Sequence, residues 1–573
     1  MDSRFDFIVV GGGTAGCRLA KRLSDTFTRP SVLLIEVGGD AADPSLRIPY
    51  DRYSAAFTRP DYDHGYVTVP QRSLDRAEVP YARGKGLGGS SLLNFFAYCY
   101  GAKADFDRWA EMVGDDAWGW DQTLKRLRRI EKYNPKVPEG FHHYANPSKD
   151  DHGQAGAVDV GFPSNVEPEA VRALDAAVAF GYPISHDINT GNPIGMTLLV
   201  STLDNRYRVT SASAHLTNKP ANLTIWTSTR AVRVLLNGKR TVGVELEGGK
   251  KVYANKETLL TAGALDTPKL LLLSGIGTSQ ELASHNVECL HELPGVGKQL
   301  QDHCGVIVAA SFKASFSIRA AFDSDPEKLC LARSQWLKDQ TGPMTHHNCS
   351  SAVGFFKLPD LSETSEFIGL EPNAKSYLSD VSVPHYEIIT NGPPPRGVAV
   401  AQDESVMTLN VILMNPQSRG SVTLRSNNPT EGPRIDFDYL SHPLDRRTMI
   451  DAVREALEYM KTPTWANDFK SFVWHPDSSA DADILAYIKS RFTPIWHANG
   501  SVMMGKPDSP LSCVDSRLRV YGLQNLRVAD LSVLPLTPNN HPQSTAYLVA
   551  EFAAEALIRE HCLEMGSSAE ARL

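Results

Sequence analysis

Residues Phe5 to Val10 form a short apolar run that breaks at Gly11-x-Gly13-x-x-Gly16, after which Ala15, Leu19, Ala20 and Leu23 recur at helical spacing. A second apolar run, Val32 to Ile35, leads straight into Glu36, twenty residues beyond Gly16. The pattern predicts a strand, a glycine turn, a helix and a second strand, the unit that cradles a dinucleotide pyrophosphate. In such a unit Gly11 permits the tight turn, Gly13 lets the backbone approach the phosphates, and Gly16 lets helix and strand lie close. Thr14 and Ala15 open the helix, whose N-terminus favours negative charge. Glu36 is placed to accept hydrogen bonds from ribose hydroxyls and to repel a 2′-phosphate. A nicotinamide or a flavin dinucleotide would suit the unit equally well.

A second glycine cluster narrows the choice. Arg83-Gly-Lys-Gly-Leu-Gly-Gly-Ser-Ser-Leu-Leu-Asn94 suits neither a regular helix nor a strand, because glycine is costly in both and useful where backbone must approach a ligand or take positive φ. The apolar stretch from Phe95 to Tyr98 follows it and reads as buried, so this backbone is expected to run inward against a flat cofactor.

At 573 residues the chain exceeds one ordinary core, and two interleaved or consecutive domains are expected. The second architecture shows downstream. Met407, Leu409, Val411 and Leu413 alternate with Thr408 and Asn410, Arg419-Gly420 turns the chain, and Val422 and Leu424 alternate again, which predicts antiparallel sheet with one covered face. Ile450, Val453, Leu457 and Met460 fall on one helical stripe, so a helix should pack beside that sheet. The expected fold class is therefore a Rossmann-like α/β nucleotide-binding domain with a second, antiparallel-sheet (α+β) substrate domain.

Composition excludes several function classes. A hydrophobic share of 42% and a charged share of 22% are those of a globular protein, and a net charge of -8 argues against nucleic acid or an anionic membrane as partner. The 8 cysteines form no paired spacing and no cluster with histidine, so no metal site is expected. No apolar run approaches the ~20 residues that span a bilayer. A strand starts almost at the N-terminus, leaving no room for a secretory signal, and the expectation is an intracellular protein.

With the motifs in view, the chain resembles the glucose–methanol–choline (GMC) family of flavin oxidoreductases. Gly84-Lys85-x-Leu87-Gly88-Gly89-Ser90-Ser91-x-Leu93-Asn94, with Tyr98, Gly101 and Asp107 beyond, is similar to its first signature, and Gly263-Ala-Leu-Asp-Thr-Pro268 through Ser274-Gly-Ile-Gly277 to its second. Pro294-Gly-Val-Gly297 running into Leu300-Gln-Asp-His303, Asn415-Pro-x-Ser-Arg-Gly420, and Leu526-Arg-Val-Ala-Asp-Leu-Ser532 extend the resemblance over nearly the whole chain. It implies FAD in an extended pose. Glu36 is then expected on the ribose, Val232 at the adenine through its backbone, and Asp530 near the pyrophosphate and ribityl chain. Gly88, Ser90 and Asn94, with Phe95, Phe96 and Ala97, are expected along the flavin. Covalent attachment in this family usually uses a histidine near the first signature; none lies between Gly84 and Asp107, so FAD is expected to be held non-covalently. Cofactor motifs near 230, 263 and 530 divide the chain into cofactor segments 1–160, 205–302 and 495–565 and substrate segments 161–204 and 303–494.

The same resemblance points to the chemistry. Oxidising an alcohol with a flavin needs a base for the hydroxyl proton while hydride leaves the adjacent carbon, and histidine suits the base. Of 17 histidines, His497 in Trp496-His-Ala-Asn-Gly-Ser501 and His541 in Asn539-Asn-His-Pro-Gln543 stand where the family places its catalytic pair. His497 is assigned as general base and His541 as the partner that positions the hydroxyl and steadies its developing negative charge, with Asn540 a competitor for that role. Pro542 is expected at the first position of a terminal helix whose free N–H groups, starting at Gln543, face the flavin.

Two departures bear on the substrate. Tyr98-Cys-Tyr-Gly101 replaces a Tyr-x-Arg-Gly sequence, and His64-Gly-Tyr66 replaces a flavin-side tryptophan. The reading is FAD-dependent oxidation of a small-molecule alcohol, primary and aryl or allylic, with O2 or another electron acceptor reoxidising the flavin. The alternatives are a redox-silent lyase or cyclase on the same scaffold, or a light-driven decarboxylase. The identity of the alcohol and the oligomeric state are left open.

Overall fold

The computed structural model describes residues 3–563, apart from 165, 205, 318, 324, 348, 396, 399 and 402. Positions 564 and 565, at the end of the last expected cofactor segment, lie outside the described residues.

The first sheet grows from the N-terminal unit. Ser3–Val10 lies between Val32–Ile35 and Lys251–Leu260, and Val32–Ile35 in turn pairs with Leu223–Trp226, all in parallel. Phe7 to Val10 and Val32 to Ile35 are buried throughout, as expected of parallel strands covered on both faces. The long strand Lys251–Leu260 has two further neighbours. Its start pairs antiparallel with Arg240–Leu246, which continues to Ala231–Asn237, and its end pairs in parallel with Leu526–Val528. Helix Thr14–Ser24 packs on this sheet through Cys17, Leu19, Ala20 and Leu23. It is tied to the terminal helix Gln543–Glu560 by an enclosed ion pair, Arg18 to Glu551 at 2.7 Å.

The second sheet is antiparallel. Its order is Phe469–Trp474, Cys304–Lys313, Glu404–Leu413, Tyr386–Thr390, Ala352–Phe356 and Gly195–Leu198, with Phe492–Pro494 also on Cys304–Lys313. Its register positions the chemistry. Cys304 pairs with Leu413 on one side and with Pro494 on the other, while Glu387 pairs with Ile412. The residues just beyond these pairs, His303, Met414 and the 495–499 segment, therefore meet at one end of the sheet.

The expectation of one covered face is corrected here. Met407, Leu409, Val411 and Leu413 enter the main core, but Ile412 and Met414 on the other face are equally buried, against Ala97, Cys99, Val353, Phe355 and Ile495. The segment leaving the second glycine cluster closes over that face, so alternation fades where the sheet meets the site. Val422 also departs from the expectation, since Gly420–Thr423 joins a separate three-stranded sheet with Lys298–Leu300 and Arg434–Asp436. Helix Pro443–Tyr459 carries Ile450 and Val453 as expected, and Met460 follows its last turn. Among the described residues, no helix is long and apolar enough to cross a membrane, and no group of His, Cys, Asp and Glu is placed to hold a metal ion.

Candidate active site

The glycine turn has the geometry its residue types require. A Cβ at Gly16 would stand 1.9 Å from the carbonyl oxygen of Gly11, so helix and turn touch where only hydrogen fits. A Cβ at Gly13 would meet nothing nearer than 3.9 Å, and that side opens on a cleft of about 1220 Å³, counting the part open to solvent. Gly11, Gly13, Thr14, Ala15, Glu36, Ser90 and Asp530 line it. Gly88 and Gly16 stand behind this wall. Gly88, at φ +104°, donates its N–H to the Gly12 carbonyl at 2.8 Å and so fastens the second glycine cluster to the first.

Glu36 does more than face a ligand. Its Oε2 accepts from Gly12 N at 2.8 Å, and its Oε1 from Gly38 N at 2.8 Å and Gly86 N at 3.1 Å, so one carboxylate ties three loops together at the cleft wall. Asp530 has a parallel task. It accepts from Gly263 N and Thr267 Oγ1 at 2.9 and 2.6 Å, joining the strand Leu526–Val528 to the start of helix Gly263–Leu273. Val232 does not line the cleft; Arg230 and Ala231 just before it do.

A second cavity of about 800 Å³ continues from the first, with Thr14, Arg83, Gly84, Ser90, Leu531 and Ala546 lining both. His497 and His541 both face it, together with Asn94, Phe95, Ala97, Trp496 and Gln543. The imidazoles meet edge to face, with centroids 4.9 Å apart. Phe96 is turned away. Its positive φ of +73° sends the ring against the Arg208 guanidinium, 4.1 Å away, while Phe95 and Ala97 face inward. Trp496 holds a similar backbone, φ +59°, beside His497. Such conformations cost about 1–3 kcal/mol each and persist where the surroundings impose them.

Each histidine has its own support. His541 Nε2 lies 2.8 Å from Oε1 of Glu387, a fully enclosed carboxylate. His497 Nδ1 lies 2.8 Å from Nδ1 of His303, whose Nε2 lies 3.0 Å from the Met414 carbonyl. The His497 backbone N–H donates to Asp302 at 2.5 Å. Burial pushes the Asp302 carboxyl up to about 7, against the opposing hydrogen bonds from Tyr439 and the His497 backbone. Burial also pushes His497 well below the usual imidazole range, helped by the neighbouring His541, His303 and Arg83, so it stays neutral at neutral pH. Asn540 is occupied elsewhere, its Nδ2 donating to the Tyr100 carbonyl and to Thr545.

The expectation for Gln543 is corrected. The terminal helix starts at Gln543, with Pro542 just ahead of it, and the Gln543 N–H is taken by the His541 carbonyl at 2.8 Å. The Gln543 side chain faces the cavity instead. Its Oε1 accepts from Asn94 Nδ2 and Thr202 Oγ1, leaving hydrogen-bonding capacity at Nε2. Trp496 Nε1 is likewise buried on the cavity wall without an acceptor. An open glycine cradle at a helix N-terminus, leading into a cavity with spare donors, fits an extended dinucleotide with a flat ring system at its inner end.

Glu387 and His303 were not singled out as site residues by sequence reasoning. A lone carboxylate in the apolar strand Tyr386–Thr390 was the available signal for Glu387, and the Gln301-Asp302-His303 motif for His303.

Family models described as GMC oxidoreductase match residues 5–305 and 416–550. The chain belongs to the GMC oxidoreductase family, FAD-dependent enzymes of the alcohol oxidase and dehydrogenase class. It is 31% identical to an alcohol dehydrogenase [acceptor] of Pseudomonas putida, over 97% of this chain and 96% of that protein. It is 30% identical to patulin synthase of Penicillium expansum, over 96% and 90% respectively. A solved structure of formate oxidase from Aspergillus oryzae RIB40, concerned with FAD modification in that enzyme, superposes with a TM-score of 0.88 at 28% identity, covering 98% of this chain and 99% of that one.

Proposed function

We propose that the chain oxidises a primary alcohol to the aldehyde, with His497 as general base and His541 holding the substrate hydroxyl. The carrying observation is the pair of imidazoles at 4.9 Å in one cavity that continues into the dinucleotide cleft. When bound, FAD would supply the hydride acceptor, with O2 or another acceptor taking the electrons in turn. The chain's own residues do the rest.

His497 is neutral and so has a lone pair for the hydroxyl proton, and a base with its acceptor site already aimed gives roughly 10²–10⁴-fold. His541, anchored through its Nε2–H on Glu387, positions the substrate oxygen beside His497. The aromatic wall of Phe95 and Trp496, with ring centroids 5.8 Å apart, supports a flat alcohol of the aryl or allylic kind. The glycine turn would hold the pyrophosphate, Glu36 the ribose, the backbone at Arg230 and Ala231, just before Val232, the adenine, and Asn94, Ala97 and Gln543 the flavin. Attachment is non-covalent, a reading supported by the lack of histidine between Gly84 and Asp107. The two sheets support two interleaved domains divided near 160, 204, 302 and 494.

Anaerobic mixing of the FAD-loaded protein with a panel of alcohols, followed at the visible flavin band, tests the proposal. Bleaching by an aryl or allylic primary alcohol is expected. Bound FAD that no alcohol bleaches would overturn it.

A further inference from the structure

We propose that His303 is a positioning residue that selects the tautomer of His497 whose Nε2 carries the free lone pair. The inference rests on His497 being the base, and it follows from three groups in series, the Met414 carbonyl, His303 and His497. The Met414 carbonyl oxygen can only accept a hydrogen bond, so His303 must carry its proton on Nε2, 3.0 Å away. A neutral His303 then has a bare Nδ1. Among the described residues, the group placed to donate to that lone pair is His497 Nδ1, at 2.8 Å. His497 is thereby protonated on Nδ1 and bare on Nε2, the nitrogen that can receive a substrate proton.

The alternative arrangement needs a doubly protonated His303. Burial pushes that imidazole down to about 3, with His541 adding to the effect, so it is neutral throughout the physiological range. The rings also stand at 76° to one another, which lets the His497 N–H enter the plane of the His303 ring.

The rest of the motif holds the same target. Gln301 and Asn499 exchange backbone hydrogen bonds at 3.0 Å, and Asp302 accepts from the His497 N–H at 2.5 Å. Three consecutive residues thus fix His497 at its backbone on one side, at its own N–H, and at its ring. When His497 takes a proton on Nε2, its Nδ1–H still points at the His303 lone pair, so the cation that forms keeps its hydrogen bond with no movement of either ring. His303 does not itself line the cavity, and its effect reaches the substrate through His497.

The test uses the FAD-loaded protein with ¹⁵N-labelled histidine and needs no substrate, so it reads His303 whether or not alcohol oxidation holds. Wild type is expected to show a protonated Nδ1 and an unprotonated Nε2 at His497, assigned by its loss in His497→Ala. His303→Asn keeps an acceptor oxygen near the Nδ1 position and should keep that pattern; His303→Leu should move the proton to Nε2. With an alcohol that reduces the flavin, His303→Leu should slow the reductive step by ~10²-fold or more, the range for losing an oriented base, with the substrate Kd little changed and His303→Asn restoring most of the rate. A wild-type His497 protonated on Nε2, or a His303→Leu variant that keeps both the wild-type tautomer and the wild-type rate, would overturn the proposal.

Discussion

His541 Nε2 rests 2.8 Å from Oε1 of Glu387, and no solvent reaches that carboxylate. The two histidines of the pair are thus held by unlike partners. His541 leans on a carboxylate and His497 on a neutral imidazole. The asymmetry divides the labour: the ring beside the carboxylate is held as a hydrogen-bond donor toward Glu387, and the ring beside His303 is kept uncharged and free to accept.

Glu387→Gln retains the shape of the contact and removes its charge. A charge-assisted hydrogen bond is worth about 1.5–3 kcal/mol, so the reductive rate constant should fall roughly 10- to 100-fold. Stopped-flow reduction at saturating alcohol measures it, and unchanged flavin content would locate the effect in the chemistry.

The state of His497 fixes the pH dependence of that step. Its conjugate acid forms only well below the usual imidazole range, so the base is present throughout neutral and alkaline pH. The limiting rate of reduction should stay level from pH 7 to 9 and decline only well below pH 6.5. A midpoint near neutrality in that profile would count against a buried neutral base.

Gly16→Ala tests the cofactor cradle. The new methyl would stand 1.9 Å from the Gly11 carbonyl oxygen and 2.7 Å from Thr261 Oγ1, so helix Thr14–Ser24 must shift away from the turn. The variant should be isolated largely without flavin and should bind added FAD at least ~10-fold more weakly, as judged by flavin fluorescence quenching.

His152 provides a separate prediction on stability. It stacks on Tyr133 with its Nδ1 3.0 Å from Glu131 and its Nε2 2.9 Å from Asp187. Burial opposes its charge, but the hydrogen bonds it donates to Asp187 and Glu131 prevail and raise it to about 9. A folded-state value above the unfolded one stabilises the protein fully below pH 6.5, and the contribution is lost as pH rises through about 9. It amounts to something on the order of 3 kcal/mol. Denaturant unfolding at pH 6.5 and 9.5 should show wild type losing more stability across that interval than His152→Gln.

Local chemistry explains what the sequence made legible. Gly11, Gly13, Gly16 and Glu36 act within a span of about thirty residues, and their spacing alone specifies the turn, the helix start and the strand end. His497 and His541 were identifiable by their flanking motifs. Their supports depend on sheet register. His303 reaches His497 across 194 residues and Glu387 reaches His541 across 154; the pairing of Cys304 with Pro494 sets the first contact, and the second depends on where the chain before the terminal helix meets the sheet. The direction of the Phe96 ring and the state of the Gln543 N–H are illegible in sequence for a related reason: a positive φ turns the ring away, and a carbonyl two residues back accepts from the N–H.

His497 is proposed to take the substrate proton in the cavity that continues from the dinucleotide cleft. Single-turnover reduction of FAD-loaded wild type and His497→Ala, mixed anaerobically with the same saturating alcohol, measures it directly. The account predicts equal flavin content and a loss of at least ~100-fold in the rate of bleaching. A His497→Ala protein that binds FAD and bleaches at close to the wild-type rate would contradict it.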